Sequence, residues 1–297
     1  MNTPTKLAIF GAALAVVFAA SLAVGAAVGP IAGAGHRSSH HPMDTAEEAE
    51  MDGMSMDSAE GLAVSAGGYT LAPVTTTLPV GESTTFSFRI LGPDGAPVTK
   101  YTPQHERDLH LIVVRRDLSG YQHLHPTLTD GTWSLPLRLG EAGVYKAFAD
   151  FKPAGAPMGT TLGIDLFVSG NFQASLLPAP SSTVAVDGYT VTVVGGLTAG
   201  KESDLSFTVA KDGKAVTDLQ PYLGAYGHLV ALRVGDLAYL HVHPDGAPGD
   251  GQTRAGPDVV FGAQVPAPGL HRLFLDFQHG GVVRTAEFTV VASGVSS

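Results

Sequence analysis

Six histidines fall into two matched sets. The first is His110, His123 and His125, and the second is His228, His241 and His243. In each set the first histidine lies thirteen positions before a His-x-His-Pro, which ends at Pro126 or Pro244. Neutral imidazole is a common ligand for divalent metals, and three that converge suit zinc or Cu(II).

Spacing gives a route to convergence. The flanking residues are apolar and β-branched, which predicts two strands joined by a tight turn at Gly235-Asp236. That turn sets His228 opposite His243, with His241 one diagonal step away. Opposed residues on an antiparallel pair have Cβ atoms about 5 Å apart, and diagonal ones roughly 7–8 Å. In the first copy a turn at Asp117-Leu118 sets His110 opposite His125, with His123 diagonal. The expectation is therefore one three-histidine site within each copy.

Asp150 and Asp276 occupy matching places in the two halves and could add a carboxylate ligand or orient a histidine. Alternation argues against a role for Asp276. His271, Leu273, Leu275 and Phe277 form the face that looks like core, leaving Asp276 on the outer one with Arg272 and Phe274. His271 has no duplicated partner and reads as core or rim, and His279 reads as a solvated turn residue. Glu106 and Asp108 would share a face with His110 if that strand starts early.

The elements that must position these groups are strands. The 37 Gly and 20 Pro indicate many turns, and a hydrophobic content of 44% is enough for packed cores. Short apolar segments separated by turn signals recur in both halves, the His-x-His-Pro segments being single strands over 121–126 and 238–244. Gly-Tyr-Thr occurs at 68–70 and 188–190, and GVYKAFADF aligns with GLHRLFLDF. This is an internal duplication. The fold class is all-β, with two tandem immunoglobulin-like β-sandwich domains over 62–170 and 183–292 and a linker over 171–182.

Residues 7–28 are an uncharged apolar run of 22 residues, long enough to cross a bilayer as a helix. Residues 1–35 are therefore expected to be a signal anchor or a signal peptide, placing the rest outside the cytoplasm. Residues 36–61 read as a disordered acidic tether. It holds His36, His40 and His41, with Met43, Met51, Met54 and Met56, four of the six methionines. Thioether favours Cu(I). The alternative is a solvated linker that happens to contain methionine.

The absence of cysteine removes disulfides, thiolate sites and a cysteine nucleophile. A net charge of −10 argues against a nucleic-acid partner. There is no phosphate loop, no dinucleotide fingerprint and no nucleophile elbow.

The stretches HLVALR, LAYLHVHP and RLFLDFQHGGVVRTAEFTV resemble exported actinobacterial heavy-metal-binding proteins with YtkA-like or copper-resistance-type domains. The resemblance covers the whole chain and is strongest over 227–291. The first domain departs from it where DFQHGG becomes DFKPAG. The resemblance implies a membrane-anchored or secreted protein binding copper or zinc, with a metal-transport protein as a potential partner. Two other readings stay open: a surface interaction module with structural histidines, and a mononuclear metalloenzyme.

Changing Met43, Met51, Met54 and Met56 together to Leu is expected to lower Cu(I) affinity in competition with a Cu(I) chelator. Unchanged affinity would make the tether a spacer.

Overall fold

The computed structural model describes residues 60–240 and 242–294. The apolar run, the metal-ligand candidates of the tether (His36, His40, His41, Met43, Met51, Met54, Met56) and His241 lie outside the described residues. Among the described residues there are twenty strands and no helix.

The first domain contains β1 (Ser65–Ala66), β2 (Tyr69–Pro73), β3 (Thr77–Leu78), β4 (Ser83–Leu91), β5 (Leu109–Arg115), β6 (Gln122–Leu124), β7 (Thr127–Thr129), β8 (Thr132–Arg138), β9 (Gly143–Phe151) and β10 (Thr160–Val168). The second contains β11 (Thr183–Val186), β12 (Tyr189–Val194), β13 (Glu202–Lys211), β14 (Lys214–Ala215), β15 (His228–Arg233), β16 (Tyr239–Leu240), β17 (Val242–Pro244), β18 (Asp258–Gln264), β19 (Gly269–His279) and β20 (Val282–Ala292).

Sheet order identifies the architecture. Domain 1 has one sheet ordered β1-β2-β4-β8-β7 and a second ordered β3-β10-β9-β5-β6. Strand β3 runs parallel to β10, while the other pairings are antiparallel. Domain 2 repeats this with β11-β12-β13-β18-β17 and β16-β15-β19-β20. These are the two sheets of an immunoglobulin-like sandwich, one of the ABED kind and one built on C, F and G. Both domains are thus immunoglobulin-like β-sandwiches.

Each sandwich has its own core. Phe86, Phe88, Leu111, Trp133 and Phe151 lie in the first, and Phe207, Phe261, Leu275, Phe277 and Phe288 in the second. A third core joins the domains, where Ile112, Val114 and Phe148 meet Val230, Leu232, Tyr239 and Phe274. Strand β5 is consequently buried at every residue. Its odd positions face the domain 1 core and its even positions face domain 2, which explains its continuous apolar run.

Two segments fasten the domains further. Glu60 and Gly61 bridge them: Gly61 N–H donates to the Thr161 carbonyl at 3.1 Å, and Tyr239 N–H donates to the Glu60 carbonyl at 3.0 Å. Gly61 has φ of 71°, and a Cβ there would fall 2.5 Å from Phe148 Cδ1. Only glycine fits. The linker is tied down as well. Buried Arg115 donates to Ser175 Oγ at 2.9 Å, Asp117 accepts from Ser175 N–H at 2.8 Å, and the Arg115 guanidinium lies over the Phe172 ring.

The expected strand over 121–126 is the shorter β6, with β7 following it, and the expected single strand over 238–244 is two strands. Strand β6 pairs with β5, but β7 pairs with β8 of the opposite sheet. In the second domain β16 pairs with β15 and β17 with β18. The chain crosses from one sheet to the other within these segments, between Leu124 and Thr127 in domain 1 and between Leu240 and Val242 in domain 2.

Phe274, fully buried and stacked on Tyr121 with ring centroids 4.0 Å apart, is central to the interdomain core. Phe274→Ala should cost about 3–5 kcal/mol of stability by chemical denaturation. A negligible loss would show that this interface is not formed in solution.

Candidate metal centre

Four of the six paired histidines meet at one place, between the domains. His110 and His228 are the first even-facing residues of β5 and β15, at the end of the interdomain core. Their rings stack with centroids 5.4 Å apart and planes 12° apart. His123 on β6 and His125 just beyond it complete the group. The centroid of His123 is 4.7 Å from that of His228 and 4.9 Å from that of His125. Ring nitrogens of His110, His123 and His228 all lie within 4.8 Å of one another.

The expected register holds in the first domain, where Ile112 pairs with His123 and Leu111 with Leu124. In the second it holds only near the turn, with Ala231 opposite Leu240 and Leu232 opposite Tyr239. The two-residue turn at Gly235-Asp236 is instead a four-residue connection, closed by Arg233 N–H donating to the Ala238 carbonyl at 3.0 Å. The expectation of His228 facing His243 is corrected. His243 is exposed in β17, opposite Gly262 in the outer sheet, because the strand has already changed sheets. His228 joins the first domain's histidines, so the described histidines build one centre across the interface and not one in each domain.

Hydrogen bonds fix the tautomers. His110 Nε2–H donates to the Gln104 carbonyl at 2.9 Å, leaving Nδ1 with its lone pair. His123 Nδ1–H donates to Asp276 Oδ2 at 2.8 Å, leaving the Nε2 lone pair. These two nitrogens face each other at 3.0 Å, and His125 Nε2 is 3.3 Å from the same His110 nitrogen. Lone pairs at that distance repel unless a proton or a cation lies between them. A tetrahedral ion with bonds of about 2.0–2.1 Å holds its nitrogens about 3.3 Å apart, so the spacing suits a metal.

Asp276 corrects a second expectation. Alternation places it on the outer face as expected, but that face is the domain interface, and Asp276 is only 2% exposed. It pairs in register with His228, takes Thr285 Oγ–H at 2.6 Å, and reaches across to His123. A carboxylate that orients a ligand histidine is a common outer partner in metal sites. Asp150, its counterpart in register with His110, lies on the corresponding face but turns to Thr161 and Glu60. The Thr161 hydroxyl lies 3.4 Å from Asp150 and 3.1 Å from Glu60, and burial, with Glu60 alongside, pushes Asp150 up to about 7.

Other expectations settle simply. His271 is fully buried core. His279 is not solvated: it sits between the Tyr189 hydroxyl at 2.7 Å and Asp218 at 3.1 Å. Glu106 and Asp108 are exposed and precede β5, which begins at Leu109. His105 is a member of the cluster that duplication concealed. Its ring centroid is 5.2 Å from that of His228, but its counterpart in the second domain is Leu223, so no paired pattern marks it.

Burial lowers His110 to about 3 and His125 to about 4, and it holds His228 well below the ordinary histidine range. Neighbouring imidazoles push all three the same way. These three imidazoles are therefore neutral at physiological pH, the form that metal binding requires.

The sequence matches the family described as a domain of unknown function, DUF8832, twice, over residues 64–165 and 183–294. The chain belongs to that family. No curated protein matches the sequence. Among solved structures, the Escherichia coli adhesin FdeC aligns over 79% of this chain and 66% of its own, at 16% identity and a TM-score of 0.25. Invasin, a bacterial integrin-binding protein, aligns over 78% of this chain and 41% of its own, at 14% identity and a TM-score of 0.23. A Salmonella alpha-2-macroglobulin mutant aligns over 79% and 15%, at 14% identity and a TM-score of 0.26.

The depressed histidines give the metal-free protein an acid limit. Unfolded histidine titrates near 6.5, so the unfolded chain binds more protons than the native one between about 6.5 and 3. The histidines' contribution to stability should be fully present above about pH 6.5 and be lost steadily as pH drops through that window. His228→Leu should flatten the decline in thermal melts made in the presence of a chelator. An equally steep decline in that variant would contradict the assigned burial.

Proposed function

We propose that the protein is an extracytoplasmic metal-binding protein, with copper favoured and zinc the alternative, acting in metal buffering, delivery or resistance. The observation that carries this reading is the approach of His110 Nδ1 and His123 Nε2 to 3.0 Å, with each ring's other nitrogen already committed to a protein acceptor. His110, His123 and His228 are the ligands of the centre, with His125 beside them. When bound, the metal supplies a positive charge that satisfies the converging lone pairs and clasps the two domains. No thioether or thiolate lies among these residues, so the centre suits Cu(II) or Zn(II), and Cu(I) would belong to the methionine-rich tether.

Residues 7–28 would anchor the protein in the membrane or direct its secretion, leaving both domains outside. A metal-transport protein would be the exchanging partner. No helix among the described residues is long and apolar enough to cross a membrane.

The test is the metal stoichiometry of the full-length protein in detergent. One Zn(II) or Cu(II) should be lost equally in His110→Ala and in His228→Ala, because a single centre needs both domains, while His243→Ala should keep it. Asp276→Asn should weaken binding about 10–100-fold, as expected for a partner that orients a ligand. A wild type without metal, or variants that each remove a separate ion, would reject the shared centre.

A further inference from the structure

We propose that His105 is the gateway ligand of the centre, passing the metal between solvent and the buried histidines. This rests on the metal-binding reading above. His105 is exposed, whereas His110 is 2% exposed. Its ring is close enough for a handover, with centroids 5.2 Å from His228 and 6.1 Å from His110. Yet it stands outside the set whose nitrogens lie within 4.8 Å of one another, so it is placed to relay an ion and not to keep it.

The backbone that carries it is specialised. Gln104 and Arg107 exchange backbone hydrogen bonds of 2.8 and 3.0 Å around His105 and Glu106. Both central residues have positive φ, 47° and 64°, giving a type I′ turn made without glycine. Left-handed backbone is uncommon for residues other than glycine, and histidine is among those that adopt it more readily. The same turn supplies the Gln104 carbonyl that accepts His110 Nε2–H. The gateway and the tautomer of an inner ligand are thus set by one four-residue device.

The second domain has the same turn without the chemistry. Tyr222 and Ala225 exchange bonds of 2.8 and 3.3 Å around Leu223 and Gly224, whose φ values are 57° and 77°. Leu223 is 2% exposed, and Glu106 packs against Gly224. One turn therefore plugs the interface with a leucine, while the other presents an imidazole to water. Access to the centre is one-sided. His105 would offer a nitrogen to an incoming ion in place of one of its waters, and would release it once His228, His110 and His123 hold the ion.

The test uses Co(II) as a visible probe in the full-length protein in detergent, counting as signal only absorption absent from His110→Ala. Uptake and release to excess chelator are timed for wild type, His105→Leu (the residue of the counterpart turn) and His105→Asn (which tolerates positive φ). Both variants should exchange metal several-fold more slowly in both directions, with little change in equilibrium affinity. Unchanged rates in both would make His105 a turn residue only. Affinity lost to the extent seen for His110→Ala would make it a resident ligand. A wild type with no Co(II) signal would overturn the centre itself, and the gateway with it.

Discussion

The structure depends on burying the outer face of one sheet from each sandwich against the other. Ile112, Val114 and Phe148 on one side, and Val230, Leu232 and Phe274 on the other, form a core that neither domain has alone. Such apolar faces are costly to leave in water, at about 25 cal/mol per Å². The charged groups on those faces find partners within the interface or at its edge, while the buried Tyr121 hydroxyl finds none. Lys146 turns to the Leu62 carbonyl and Asp165, Arg272 to Thr289 and Glu287, and Asp276 to His123 and Thr285. The histidine cluster is the polar end of this same buried layer.

The duplication and the centre are linked through that layer. His110 and His228 hold matching places in their domains, and face-to-face packing brings them together as stacked rings. The rest of the described cluster is lopsided. Domain 1 adds His123, His125 and His105, whereas domain 2 contributes the carboxylate, Asp276. A repeated sequence thus yields one site from unequal halves. Neither domain holds the described histidine cluster by itself, so an ion bound there would favour the docked form.

The change of sheet at each His-x-His-Pro divides the histidines. In domain 1 the crossing follows Leu124, late enough to leave His125 near His110, with proline next in the chain. In domain 2 the last residue paired with β15 is Leu240, and Val242 already pairs in the outer sheet. His243 goes with it. A shift of one or two residues in where a strand leaves its ladder decides which imidazoles share a site, since neighbouring positions point to opposite faces.

The sequence by itself determined the duplication, the all-β class, the positions of most strands and the registers that bring Ile112 to His123 and Ala231 to Leu240. These are local properties, written in alternation and turn residues within a dozen positions. Tertiary structure alone decided that the outer faces of β5 and β15 meet. That placed Asp276 in a buried hydrogen bond where alternation suggested surface, because a strand's pattern records that a face is apolar but not what covers it. It also decided that His228 belongs with the histidines of the other domain, and that the unduplicated His105 belongs with them too. A site between two domains depends on how their faces dock, and no periodicity within either strand encodes that.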